Sequence, residues 1–111
     1  MAGSDLFTGS LDLLILKAVT WGPRHGYAIG RWLRDATGET LPIHEGVLYP
    51  ALHRLESKGY LDEEWAETES NREAKFYRLS AAGRKHLRTE TARWRDYARV
   101  MNAVLATDRG P

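Results

Sequence analysis

The final third of the chain constrains the fold most. After Ser80, Leu87, Trp94 and Met101 stand seven residues apart, and Ala98 and Leu105 fill intervening positions, so residues 81–106 read as one helix of about 26 residues. One small domain cannot cover an apolar seam that long. The seam calls for a partner helix, most economically its own copy across a two-fold axis. Dimerisation is therefore expected through Leu87, Trp94, Ala98, Met101 and Leu105.

The whole chain has 111 residues, enough for one compact domain and a protruding element but not for a second catalytic domain. With 42% hydrophobic and 28% charged residues it has a globular composition. The absence of cysteine excludes disulfides, zinc–thiolate sites, iron–sulfur clusters and thiol nucleophiles, and fits a cytoplasmic location. The apolar run Leu11–Leu16 is broken by Asp12 and falls well short of the roughly 20 residues of a bilayer span. No membrane partner is expected. Met1–Leu6 shows neither the basic cluster nor the apolar core of an export signal, so export is not expected either.

The formal net charge is +1, from 16 Lys and Arg against 15 Asp and Glu. Residues 45–80 nevertheless hold five basic and eight acidic side chains, while residues 81–111 hold seven and three. A polyanion would have to be met by a local arrangement of cations, because the average field is close to zero.

Helix periodicity begins at Leu11, where Leu11, Leu14, Ile15, Ala18 and Val19 share a face and Ser10 or Thr8 is the expected N-cap. Gly22-Pro23 ends that helix. A second is predicted over Tyr27–Thr37, with Ile29, Trp32, Leu33 and Ala36 as its stripe and Gly38 as the left-handed residue beyond it. A third covers about Gly46–Lys58 around Leu48, Leu52 and Leu55, with Pro50 tolerated in the first turn. The period then changes. Leu61 to Trp65 and Lys75-Phe76-Tyr77-Arg78-Leu79 predict two strands joined by the polar loop Thr68–Glu73, and Ser80 caps the last helix.

Three helices, a hairpin and a long helix form a mainly α, α+β arrangement: a winged helix-turn-helix domain followed by a dimerisation helix. Residues 1–8 are expected as a flexible lead-in, 9–80 as the DNA-binding domain, 81–106 as the dimerisation helix and 107–111 as a flexible tail. In this reading the third helix turns Val47, Ala51, Arg54 and Lys58 away from its buried line, with Tyr49 and His53 on a flank. Small residues near the helix start would permit close approach to a groove, and the cations would reach phosphates. Asn71, Arg72 and Lys75 at the hairpin complete the expected contacts with double-stranded DNA.

The residues themselves resemble a known family. Gly9-Ser-Leu-Asp-Leu-Leu-Ile-Leu-Lys17, His25-Gly-Tyr-Ala-Ile29, Glu45-Gly-Val-Leu-Tyr-Pro-Ala-Leu-His-Arg-Leu-Glu56 with Gly59, and Asn71-Arg-Glu-Ala-Lys-Phe-Tyr-Arg-Leu-Ser80 with Gly83 are similar to the PadR family of bacterial transcriptional regulators. The resemblance spans about residues 9 to 87. It implies a homodimeric repressor of a pseudo-palindromic operator, released in many members by a small molecule, and the single C-terminal helix looks like the short-form branch. On this resemblance Tyr49 stands near the DNA backbone, and Arg72 and Lys75 match the basic positions of the wing. Val47 departs from the pattern, which commonly has Ser or Thr there.

Other chemistries find little support. His25, His44, His53 and His86 share no metal-ligand spacing, so no metal site is expected, and His25 is assigned to the turn before the second helix. No nucleophile elbow, dinucleotide fingerprint or phosphate loop occurs, so neither catalytic residues nor a cofactor is expected. Trp21, Trp32 and Trp65 are assigned to the core. Trp94, with Tyr97, Met101 and Leu13, is a candidate wall for a small aromatic or hydrophobic effector at the dimer interface. The competing reading keeps the winged fold as a protein-interaction or ligand-sensing module that does not bind DNA.

Overall fold

The structure, a computed structural model, describes the backbone of residues 2–111 and the side chains from Gly9 onward. Its elements follow the order α1 (Ala2–Ala18), β1 (Arg24–His25), α2 (Gly26–Ala36), α3 (Glu45–Ser57), β2 (Leu61–Glu67), β3 (Glu73–Leu79) and α4 (Ala81–Leu105). The architecture is the expected α+β one, four helices and an antiparallel sheet. Helix α1 starts at Ala2, so Thr8 and Ser10 are interior positions rather than N-caps. Gly3 and Gly9 each weaken a helix by about 1 kcal/mol relative to alanine, and no proline stands before Pro23 to stop it.

The core is a set of aliphatic side chains contributed by every helix. Leu11, Ile15, Leu16 and Val19 of α1 and the turn after it meet Ile29 and Leu33 of α2, Leu48, Ala51, Leu52 and Leu55 of α3, and Leu61, Tyr77 and Leu79 of the sheet. No polar side chain is buried among the described residues. At about 1.5–3 kcal/mol for each fully buried large side chain, this shared cluster holds the three helices against the hairpin.

His25 caps α2 with its ring, Nδ1 accepting from the Ala28 N–H at 3.1 Å, which fulfils the role the sequence assigned it. At the other end Gly38 has the expected left-handed backbone, φ +61°. Pro50, however, is the sixth residue of α3 and not in its first turn. The Leu48 N–H already bonds His44 O, so the missing proline N–H leaves the exposed Gly46 carbonyl without its helical partner.

The sheet holds one strand more than the sequence predicts. Its order is β1-β3-β2, with Arg24 opposite Tyr77 and His25 opposite Phe76, then Leu61 opposite Leu79 through Glu67 opposite Glu73. A two-residue strand has no periodicity to read. The tip turns at Asn71, whose φ of +59° is a conformation asparagine tolerates.

Ser80 joins the hairpin to α4, accepting from the Gly83 N–H at 2.9 Å and donating to Gly59 O at 2.6 Å. The first turn of α4 sits so close to the preceding loop that a Cβ on Gly83 would fall 2.1 Å from Tyr60 O. Only Gly83 and Leu87 of α4 are buried, and the helix projects beyond the domain in a molecule measuring 63 × 28 × 26 Å. Among the described residues no helix is long and apolar enough to cross a membrane.

Candidate nucleic-acid interface

The face that α3 turns outward differs from the expected one. The buried line Leu48, Leu52, Leu55 lies only about 100° around the helix from Val47, Ala51, Arg54 and Lys58, because adjacent residues are separated by that angle. Ala51 is accordingly in the core at 0% exposure, and Val47 packs against it. Ala51 cannot touch a ligand. Arg54 leans toward α1 and pairs with Asp12 at 2.9 Å. The residues opposite the buried line are Gly46, Pro50, His53 and Ser57, with Tyr49 on the other flank from Arg54, all exposed, and with exposed Lys58 just beyond the helix.

Tyr49 is anchored as well as exposed. Its ring lies on the first residue of α2: a Cβ on Gly26 would come within 2.7 Å of Tyr49 Cε1 and 2.9 Å of Tyr49 Oη. Gly26 therefore lets the start of α2 and the α3 tyrosine pack together. Tyr49, Gly26, Thr68 and Lys75 help line one open hollow of about 350 Å³, so the start of α2, the first half of α3 and the outer part of the wing converge there.

At the wing tip the Thr68 N–H donates to Arg72 O at 2.8 Å and the Asn71 N–H to Thr68 O at 3.0 Å, which leaves the Asn71 and Arg72 side chains exposed. Lys75 is not free. Its Nζ lies 2.9 Å from Glu56 Oε1 and 3.2 Å from Glu63 Oε2, and 5.2 Å from the Tyr77 ring centroid. The Glu56 hydrogen bond holds its pKa above the ordinary lysine value, against the opposing effect of burial. Burial likewise raises the Tyr77 phenol. On the other face of the hairpin Arg78 pairs with Asp62 and Glu64. Three hairpin carboxylates, Asp62, Glu63 and Glu64, and Glu56 of α3 are thus matched locally; Glu67, Glu69 and Glu73 near the tip are exposed.

Along α4, Leu87 is buried in the core of its own domain, so it is not a free seam position. Trp94, Tyr97, Val100, Met101, Val104 and Leu105 are exposed large hydrophobics, Ala98 is half-buried, and the Trp94 and Tyr97 rings lie 6.0 Å apart. Val100 and Val104 were not among the expected positions, although their three- and four-residue spacing was legible. Leu13 of α1 is half-buried against the core.

Three other tryptophans fall outside the core assigned to them. Trp21, Trp32 and Trp65 are 63%, 41% and 57% exposed. Trp21 stands in the turn after α1 with Lys17 Nζ 4.9 Å from its ring centroid and Trp32 5.7 Å away. Trp32 and Ala36, expected on the stripe with Ile29 and Leu33, instead lie off the line of Gly26, Ile29, Gly30 and Leu33 that α2 buries, because the close packing of Gly26 and Gly30 turns the helix toward its glycine side. His86 stacks on Tyr60 at 4.2 Å, His44 precedes α3, and no group of three or more metal-ligating side chains converges among the described residues.

Comparison with known proteins agrees with this architecture. The structure is similar to that of a transcriptional regulator from Clostridium thermocellum, with 32% identity, a TM-score of 0.79, and coverage of 90% of this chain and 94% of that one. It is also similar to a PadR family transcriptional regulator from Eggerthella lenta, at 33% identity and a TM-score of 0.79 over 96% and 91% of the two chains. A PadR family regulator from Clostridium difficile matches at 28% identity and a TM-score of 0.75 over 86% and 97%. The family model for PadR-like transcriptional regulators matches residues 15–89, most of the winged domain and the start of α4, and the chain belongs to that family.

Proposed function

We propose that the protein is a homodimeric DNA-binding repressor that works in the cytoplasm and acts by binding rather than by catalysis. The observation that carries this reading is the outward surface of α3, where Pro50, His53 and Ser57 are exposed opposite the buried line and Tyr49, exposed on its flank, borders one hollow with the wing. His53 and Ser57 meet base edges in the major groove, and Tyr49, Lys58, Asn71 and Arg72 meet phosphates. Two copies joined along Trp94, Ala98, Met101 and Leu105, with Tyr97 and Val104 beside them, set the two reading helices roughly 34–36 Å apart on a pseudo-palindromic operator. A small aromatic or hydrophobic effector held by Trp94, Tyr97 and Met101, with Leu13 of the first helix beside it, would change that separation and release the DNA.

The decisive experiment titrates a labelled duplex carrying the gene's own upstream region at several salt concentrations. Sequence-dependent binding that weakens linearly with log salt supports the repressor. Absent or sequence-indifferent binding supports the second reading, a winged-helix interaction or ligand-sensing module. That alternative draws on the engagement of Arg54 and Lys75 by carboxylates and on the exposed Glu67, Glu69 and Glu73 at the tip.

A further inference from the structure

We infer that Lys75 is a positioning residue for DNA recognition, a strut between wing and recognition helix that acts through Glu56 and Glu63. The inference rests on the DNA-binding reading above and deepens it.

Lys75, Tyr77 and Leu79 alternate along β3 and share the sheet face that also carries Leu61, Glu63 and Trp65 of β2. Tyr77 and Leu79 are buried, Lys75 is half-buried, and Glu73 beyond it is exposed. Lys75 is therefore the last residue on that face to be held before the tip. Its ammonium is shared between Glu56 in the last turn of α3 and Glu63 on the neighbouring strand, with side-chain exposures of 24% for Lys75 and 22% for Glu56. One cation thus links the helix that enters the groove to both strands of the wing that flanks it.

The geometry also separates this role from phosphate contact. An ammonium whose hydrogen bonds go to two carboxylates has little left for DNA, and withdrawing it would leave Glu56 and Glu63 facing each other unmatched. Arg72 at the tip is exposed. The wing accordingly divides its cations, Arg72 for the duplex and Lys75 for the angle at which the tip is presented. That angle governs whether wing and helix engage one stretch of DNA together.

The test uses Glu56→Gln and Lys75→Met with the labelled upstream duplex, and amide hydrogen exchange across residues 66–74 of the DNA-free full-length protein. Removing an anion beside DNA by Glu56→Gln strengthens binding if simple charge governs, whereas loss of the strut weakens it several-fold. Lys75→Met lowers affinity without changing the salt slope if Lys75 is a strut; a phosphate contact would reduce the slope by about 1. Exchange at the tip accelerates in both variants. Equal or tighter binding by Glu56→Gln, a reduced slope for Lys75→Met, or unchanged exchange would each overturn the proposal. If the unmodified protein binds no duplex, the DNA reading fails by itself, and the exchange measurement still decides the strut.

Discussion

The winged domain and the outer part of α4 obey the same rules of helix formation but meet opposite ends. In the domain, aliphatic side chains from three helices and a hairpin cover one another, and the polar groups at helix starts are capped by His25 and Ser80. Beyond Leu87, α4 satisfies its backbone within itself, yet Trp94, Tyr97, Val100, Met101, Val104 and Leu105 are left exposed. The first region is a finished object. The second leaves its apolar side chains uncovered, and that exposure is what the proposed second copy would bury.

Substitutions at the two regions should therefore separate folding from assembly. The largest effect is expected from Leu52→Ala, which empties a fully buried site and should cost about 2–5 kcal/mol in thermal or denaturant unfolding. Gly83→Ala should also be destabilising, because the new methyl meets a backbone carbonyl rather than a side chain that can swing away. Met101→Glu should behave differently: sedimentation shifts toward the single protomer while circular dichroism of the domain persists. If Met101→Glu left the oligomeric state unchanged, the comparison between a finished and an unfinished region would break.

Smaller effects sharpen the division within α3. Lys58→Ala should lower the salt slope of DNA binding by about 1, whereas Arg54→Ala should leave the slope alone and remove at most about 0.2–1 kcal/mol of stability from its partly exposed pair with Asp12. Equal slopes for the two variants would erase the distinction between phosphate contact and helix anchor. The smallest signal is alkaline. Lys75 and Tyr77 both have raised folded-state pKa values, so both bind protons more tightly when folded, and stability should be fully present below about pH 10 and fall as pH rises further. Lys75→Met and Tyr77→Phe should each flatten that loss in urea titrations taken at successive pH values.

Most of the fold was legible because periodicity and punctuation are local. The spacing of Leu48, Leu52 and Leu55, the alternation from Lys75 to Leu79, the Ser80 cap and Gly38 all state their structure within a few residues. The sites were less so. Ala51 and Arg54 lie one 100° step from the buried line, which brings them only to the flank that α1 covers and not to the outward face expected from the sequence. Strand β1 was missed because its two residues depend wholly on a partner some 50 positions away.

The amino-acid order alone determined the four helices, the two long strands of the wing, the winged architecture and the exposed apolar seam of α4, since each is written in short-range spacing, and its motifs carried the family resemblance. Tertiary structure decided which residues are spent on holding the domain together. Only when α1, α3 and the hairpin are brought side by side do Asp12 meet Arg54 and Glu56 meet Lys75, so whether a cation is free for DNA is a property of distance in space. Electrostatic partners across 42 and 19 positions of chain leave no periodic trace in the sequence.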